Sequence, residues 1–581
     1  MKKRSICLQD CMKTYTKDQD KAISPEETIA RFEEKLEHLD LDILKVVKRI
    51  DNGRLGIPVY FSVCGEDARA MTGTKKQMGK GASPIQAKAS ACMELAERFS
   101  FFTFKNNPDN FIVGDYEEMR AQGHPVLDLR YLLQSVHDEE HDVEFLDQVL
   151  RGIPMQWTWA TKLNTGEDVL MPFSWFFAIN EFNGPSAGNS YEEAALQGIC
   201  EIVERHVCAV VSHGNLKTPL IEHDSVTDPV ARNLLDIFKK HNIDLYLNDF
   251  SLDTGICTIA ALAVDHSTFP ESSEIVYTAG TTPDPEKALI RAVTEVAQLA
   301  GDFNSKSNYV ASGLPKPLSM DEVEHITDSG MTTRIEDFPN LGDPNIRVEV
   351  ENCVAAMAKR GMDTFMIDVM HPDLQIPAIY TIIPGAHFRE RSMIQDVGLF
   401  ASKLLVERVT DSEELDRKLA RLEGIISDAY YLDFYRGRNL HEAGQPEKAL
   451  VHFEKSLTLS PEAEDLPYIY SYMGHCYKDL GQYREAIDIL KTGLSEDEER
   501  WDIYNTMGVC YYKLDQYEKA VSCFERAVEL NPVSALDYAN LGVNHRKLGN
   551  RDKAVHYFTL ALSIDPDIEF AQQQFAELVA D

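Results

Sequence analysis

The sequence is short of basic charge. Lysine and arginine number 58 against 94 aspartates and glutamates, a formal net charge of −36 over 581 residues. Proteins that bind nucleic acid need basic patches to neutralise phosphates, so direct nucleic-acid binding is not expected. A bound metal or a basic protein partner suits the excess of carboxylates better, and so does plain solubility. Cysteine is scarce too, at 11 residues, an odd number. Three residues separate Cys7 from Cys11 and no Cys-x-x-Cys pair occurs, which argues against a structural zinc or a redox dithiol. Cys92, Cys200 and Cys510 stand in apolar helical contexts and read as reduced core residues. No run approaches the length of uninterrupted apolar sequence that spans a bilayer. The opening "MKKRSICLQD" has charge but no apolar stretch after it, so no signal peptide and a cytoplasmic location are expected.

A phosphate loop is also missing, although "GTKKQMGKGAS" suggests one. The motif needs four residues between its first glycine and Gly-Lys, and a hydroxyl directly after the lysine. Here five residues separate Gly73 from Gly79, and Gly81 follows Lys80. No strand-like run ends just upstream, and Gly79-Lys80-Gly81 reads as the turn that leads into a helix.

What is present divides the chain in two. "WDIYNTMGVCYYKLDQYEKAVSCFERAVELNP" and "ALDYANLGVNHRKLGNRDKAVHYFTLALSIDP" repeat with a period of 34: Gly508 with Gly542, Ala520 with Ala554, Phe524 with Phe558, Pro532 with Pro566. Gly474, Tyr477 and Ala486 belong to an earlier copy, and Gly437, Ala449, Phe453 and Pro461 to a looser first one. Small residues let the two helices of a hairpin approach, and no single hairpin buries its apolar face, so copies must stack. The pattern resembles the tetratricopeptide repeat, with about four copies over 430–566 and a closing helix to Ala580, a 430–581 solenoid in all. Such solenoids bind peptides, dimerise or brace a neighbour.

The first ~395 residues alternate helical runs (Thr28–Leu39, Pro84–Phe99, Tyr191–Val210, Pro285–Ala300) with strand-like ones ("IPVYFSVCG", "TIAALAVD", "SEIVYTAGTT", "PAIYTIIPG"). This is the signature of an α+β domain of catalytic size. After a 1–20 tail, such a domain is expected over 21–395, joined to the repeats by an acidic connecting helix over 396–429.

Three of those helices share an unusual arrangement. "SACMELAERF" holds Ser90, Glu94, Glu97 and Arg98. "NSYEEAALQGICEIVERH" holds Asn189, Glu193, Glu201, Glu204 and Arg205. "EKALIRAVTEVAQ" holds Arg291 and Glu295. Glu94 with Glu97, and Glu201 with Glu204, are i, i+3 pairs that share a helix face. The rest of these helices is largely apolar, so the carboxylates are expected to approach the interior, where they repel one another unless a cation holds them. Hard oxygen ligands suit Mg2+ bound with nucleotide phosphates, and neighbouring arginines suit the phosphate oxygens. The plain alternative is a solvated helix face with local ion pairs.

"GKGASPIQAKASACMELAERF", "NGPSAGNSYEEAALQGICEIVERH" and "PEKALIRAVTEVAQ" resemble, in order, the three nucleotide-binding segments of the YcaO family. With the repeats, the architecture resembles the repeat-bearing branch of that family. The resemblance implies ATP and Mg2+ as cofactors, in an α+β fold unrelated to phosphate-loop enzymes. It implies nucleotide contacts at Ser90, Ser186, Asn189, Glu193, Arg205 and Arg291, and metal ligation by Glu94, Glu97, Glu201, Glu204 and Glu295. "KAISPEETIARF" resembles the segment that reaches the nucleotide, through Lys21 and Thr28, although a helix N-cap at Ser24 or Thr28 explains that stretch as well.

The resemblance further implies chemistry. Family members use ATP to phosphorylate a peptide amide oxygen, after which a side chain, sulfide or amine attacks the amide carbon. Azoline-forming members end in a proline-rich tail, whereas this chain continues through "HFRERSMIQD" into the repeats and ends "FAELVAD", so azoline synthesis is not expected. The repeat-bearing branch is associated with methylthiolation of an aspartate in a small-subunit ribosomal protein, as accessory factor to a radical methylthiotransferase. Three roles therefore stand open: an enzyme acting on a peptide or protein backbone, an ATP-binding accessory factor for such a partner, and a non-catalytic scaffold. A homodimer is the expected assembly.

Overall fold

Side-chain caps start the long helices. Ser83 Oγ accepts from the Gln86 N–H, with Pro84 at the first helical position, and opens Pro84–Asn106. Ser190 Oγ accepts from the Glu193 N–H and opens Tyr191–Gly214. Asp284 accepts from Glu286 and Lys287 N–H groups at the start of Pro285–Leu299. Such caps satisfy donors that the first turn leaves free, and proline at the first position sacrifices no hydrogen bond. Ser24 likewise caps Pro25–Glu37, which therefore starts three residues before the helix expected at Thr28.

These elements come from a computed structural model that describes residues 3–51, 54–267, 269, 275–299, 317, 319–388 and 396–580. The chain divides into two compact units, Met1–Val397 and Gly398–Asp581. The expected boundary at residue 395 falls in 389–395, outside the described residues, as does most of "HFRERSMIQD". Among the described residues, no helix is long and apolar enough to cross a membrane.

The first unit is α+β, with three sheets among the described residues. Leu44–Arg49, Val59–Cys64 and Lys76–Lys80 form a small antiparallel sheet. A second sheet runs in the order Val276–Thr281, Thr258–Val264, Asp244–Asp249, Leu220–Ile221, Thr332–Thr333, antiparallel except for its last pair. A third is built on Met155–Lys162, Phe365–Asp368, Ala378–Ile382 and Pro185–Ala187. The strand Thr258–Val264 is buried along its whole length, as expected of its unbroken apolar run.

Glycines set how closely the helices lie on these sheets. A Cβ at Gly79 would come within 2.1 Å of the Ala91 nitrogen, one at Gly280 within 2.5 Å of the Ala292 nitrogen, and one at Gly198 within 2.2 Å of Thr381 Oγ1. No side chain fits in any of the three places, so each long helix is pressed against a strand at a glycine contact. This gives Gly79 a packing role. It also corrects the reading of Gly79-Lys80 as a turn: both residues end the strand Lys76–Lys80.

The N-terminal residues, expected as a tail, run along the first unit as a strap. Arg4 Nη1 donates to the Met370 carbonyl, the Ile6 N–H to Thr161 Oγ1, and the Cys11 N–H to Asn345 Oδ1. Lys13 Nζ pairs with Glu349 at 2.5 Å and with Asp20 at 2.7 Å. The strap is thus tied to the Met370 segment, to the strand that holds Thr161 and to the helix that Asn345 caps.

The second unit is all helix. Two helices, Val397–Arg408 and Ser412–Glu423, stand where one connecting helix is expected, because Asp411 caps a new helix after Val409 and Thr410. Four hairpins follow: Tyr430–Glu442 with Pro446–Thr458, Leu466–Asp479 with Tyr483–Glu496, Trp501–Lys513 with Tyr517–Leu530, and Ala535–Lys547 with Arg551–Ile564. Glu569–Ala580 closes the stack. The periodic glycines mark the crossings within the hairpins: a Cβ would meet the Phe453 ring at 2.6 Å from Gly437, Leu490 at 2.3 Å from Gly474, the Phe524 ring at 2.7 Å from Gly508 and the Phe558 ring at 2.8 Å from Gly542. Replacing Gly508 by alanine overpacks the third crossing and is expected to destabilise the solenoid by about 1–3 kcal/mol. Denaturant titration followed by far-UV circular dichroism checks this, and an unchanged midpoint contradicts it.

Candidate functional site

The three glycine-seated helices turn their polar faces toward one cleft of about 1260 Å3, counting its mouth. Six glutamates line it: Glu94 and Glu97 from the first helix, Glu193, Glu201 and Glu204 from the second, Glu295 from the third. Five cations line it with them, Lys21, Lys80, Arg98, Arg205 and Arg291. Of the remaining residues expected at the site, Thr28, Ser90 and Asn189 also face the cleft. Ser186 does not: it is fully buried and its hydroxyl donates to the Ala194 carbonyl.

Within the cleft the charges interlock. Arg98 Nε lies 3.2 Å from Glu94 Oε1 and 3.4 Å from Glu97 Oε1. Arg291 Nε lies 3.5 Å from Glu204 Oε2, while its Nη1 donates to Gln197 Oε1 at 2.7 Å. Glu204 Oε2 also accepts from the Thr281 N–H at 3.2 Å, Arg205 is 3.9 Å from Glu204, and Lys80 pairs with Glu295. Burial, with Glu94 beside it, pushes the Glu97 carboxyl well above its usual range, and burial raises Glu201 as well. Both carboxyls therefore lean toward the protonated form, and a further cation beside them would favour the carboxylate.

Glu193 has a different place. Its Oε1 accepts from the Ala22 N–H at 2.6 Å, and its Oε2 accepts from the backbone and side-chain nitrogens of Asn189 at 2.9 Å each. Both oxygens are thus spent on holding the strap, next to Lys21, and the loop ahead of the helix.

Gln197 and Lys80 are among the lining residues not expected from the sequence. Gln197 lies one helical turn from both Glu193 and Glu201, so extending the polar face by one turn would have found it. Lys80 enters the cleft because it ends the strand Lys76–Lys80, and no local sequence pattern signals it.

The arrangement combines two donor sets. Carboxylates suit a hard divalent cation, and arginines suit phosphate oxygens; a site for either alone would not need both. Among the described residues, no three acidic, histidine or cysteine side chains stand close enough to hold an ion by themselves, since the arginines lie between them. The residues fit a metal–phosphate pair: the glutamates would hold a divalent cation and the arginines the phosphate oxygens. Arg291 Nε, buried without a hydrogen-bond acceptor, agrees with that. A smaller chamber of about 590 Å3 adjoins at Gln197 and Arg291 and reaches Cys200, Ile346 and Glu349.

The YcaO family, described as a cyclodehydratase that binds ATP and Mg2+, matches residues 78–387, and tetratricopeptide repeats match 440–496, 501–532 and 535–568. An uncharacterised protein of Methanothermobacter thermautotrophicus is 26% identical over 394 residues, 63% of this chain and 94% of that protein. The ribosomal protein S12 methylthiotransferase accessory factor YcaO of Escherichia coli is 26% identical over 314 residues, half of each chain. Among solved structures, a heterocyclase in complex with substrate and cofactor shares the fold, with a TM-score of 0.53 at 20% identity over 66% of this chain and 55% of that one. So does the YcaO of Methanopyrus kandleri bound with AMPPCP and Mg2+, with a TM-score of 0.50 at 23% identity over 65% and 95%.

The strap contact is directly testable. Glu193→Ala removes acceptors for three donors, and each unmet buried donor costs about 1–3 kcal/mol. Amide hydrogen exchange over residues 9–22 is expected to accelerate at least about tenfold, and unchanged protection would mean that Glu193 does not hold the strap.

Proposed function

The chain belongs to the YcaO family and carries tetratricopeptide repeats after its YcaO domain, and from that premise we propose that it uses ATP and Mg2+ to activate a backbone amide of a peptide or protein by phosphorylation. The observation that carries this reading is the convergence of six glutamates and five cations from separate elements on one cleft. When bound, Mg2+ offsets the charge of a transferring phosphoryl group, and ATP supplies the group that turns an amide oxygen into a leaving group.

The chain's own residues divide the work. Glu94, Glu97, Glu201, Glu204 and Glu295 hold the metal side of the cleft. Arg98, Arg205 and Arg291 exchange their glutamate partners for phosphate oxygens, which they bind through paired N–H donors. Lys80, tied to Glu295, adds a point charge beside the same oxygens. Lys21, Thr28, Ser90 and Asn189 line the remaining wall and position the nucleotide. Ser186 acts from behind, fixing the backbone at Ala194, and Glu193 acts by holding the strap that carries Lys21. The adjoining chamber, open at Arg291, offers the acceptor amide a way to the phosphoryl group.

A second reading keeps the nucleotide site and changes its purpose. One relative is named as an accessory factor of a ribosomal protein methylthiotransferase, and the present chain also carries repeats suited to holding protein partners. On this reading ATP binding supports a sulfur-type modification performed by a partner enzyme.

Calorimetric titration of a non-hydrolysable ATP analogue with Mg2+ tests the site. Glu97→Ala and Glu201→Ala are each expected to weaken binding by about 100-fold or more, whereas Glu118→Ala, at a remote helix cap, leaves it unchanged. Wild-type affinity in both cleft variants would sink the metal assignment. Release of phosphate with a mass change in a supplied peptide separates the two readings: the enzyme reading expects both from the chain alone, and the accessory reading only with a partner enzyme present.

A further inference from the structure

The first helices of repeats one and two, with the helix Val397–Arg408, enclose a groove of about 1710 Å3, counting its mouth. Its floor is aromatic, with Phe434, Tyr435, Tyr468 and Tyr472, and its rim is acidic, with Glu407, Glu464, Asp465, Glu496 and Asp497 against Lys403 and Arg438. We propose that this groove is a docking surface for an extended polypeptide segment bearing lysine or arginine side chains.

Charge complementarity is the first argument. Five carboxylates stand around one opening, and among the described residues Glu407, Glu464 and Glu496 make no ion pair. Like charges held together without a counter-ion repel, and a basic segment relieves that repulsion. The same sign extends over the unit, where residues 398–581 hold 33 acidic and 20 basic residues, so the field around the groove draws a basic partner in.

The floor supplies the second argument. Rings attract cations laid over their faces, and the groove already does this with its own residues. The Arg438 guanidinium lies 5.4 Å from the Tyr472 ring centre and 6.0 Å from that of Phe434, and Arg500 lies 3.9 Å from that of Tyr468. Tyr468 is still half exposed, with a face left for a ligand's cation or its aliphatic stem. Arg438 opposes a basic ligand, but it is embedded among rings below a rim whose carboxylates outnumber it.

The proposal rests on the solenoid alone, so it stands or falls separately from the nucleotide site. A fluorescein-labelled twelve-residue peptide alternating lysine with alanine or serine, and its glutamate counterpart, would be titrated into the full chain and followed by anisotropy. The lysine peptide is expected to bind and the glutamate peptide not. Glu464→Lys with Glu496→Lys is expected to weaken binding about tenfold, and Tyr468→Ala about threefold. The same charge change placed elsewhere, Glu518→Lys with Asp567→Lys, is expected to alter it less than twofold. An equal loss in that control pair would reduce the effect to bulk charge and overturn the proposal, as would full binding by the groove variants. If the double reversal loses its helical thermal transition, Glu464→Gln with Glu496→Gln replaces it, with a loss of about threefold expected and no loss overturning the proposal.

Discussion

Six glutamates share one cleft in the first unit, and carboxylates drawn out of water toward one another must be balanced by cations. Here the balance comes from within: Arg98 spans Glu94 and Glu97, Arg291 holds Glu204, and Lys80 holds Glu295. This pairing lets the site exist without a ligand. It also fixes what a ligand must bring. To release an arginine from its glutamate, the ligand has to offer an anion to the arginine and a cation to the glutamate together. A nucleotide with a divalent metal does both, and neither component alone does.

That balance depends on how near the helices come. The close contacts at Gly79, Gly198 and Gly280 allow each helix to lie on its strand with no intervening side chain. A methyl group at Gly198 or Gly280 would push its helix away from its strand and strain the Arg291–Glu204 pair, which bridges those two helices at 3.5 Å; the Arg98 pairs lie within one helix. The glycines and the glutamates are thus one design, with packing setting the distances that electrostatics then uses.

Much of this was legible in the sequence, for reasons that differ by part. The solenoid was readable because a repeat states its own rule: the period of 34 places Gly474, Gly508 and Gly542 at equivalent crossings, with Gly437 in a looser first copy, and the structure puts a bulky side chain opposite each. The glutamate helices were readable because i, i+3 acidic pairs in otherwise apolar helices conflict with simple burial. What escaped depended on long-range pairing. Lys80 joins the site through strand pairing with Val59–Cys64, which no local window reveals. The strap looked like a polar tail because its partners, such as Asn345 and Glu349, lie more than 300 residues away. Ser186 lies beside a cleft residue in sequence, yet its strand turns the hydroxyl to the interior. The stacked rings of His137, His387 and His206 were invisible for the same reason.

The second helix shows how these pieces depend on one another. Along one face it carries Glu193, Gln197, Glu201 and Glu204, and they have different partners: the strap, the third helix through Arg291, the open cleft, and the second sheet through the Thr281 N–H. A shift of that helix along its axis would break the contacts of Glu193, Gln197 and Glu204 at once. Its position is therefore over-determined, from the N-terminal strap at one end to the second sheet at the other. Lys21 lines the cleft beside Ala22, whose N–H donates to Glu193, so the cleft is completed by a segment that begins far from it in sequence. The wall on the Lys21 side then forms as a consequence of folding the whole first unit, whereas the glutamate–arginine pairs on the opposite wall need only the three helices and their strands.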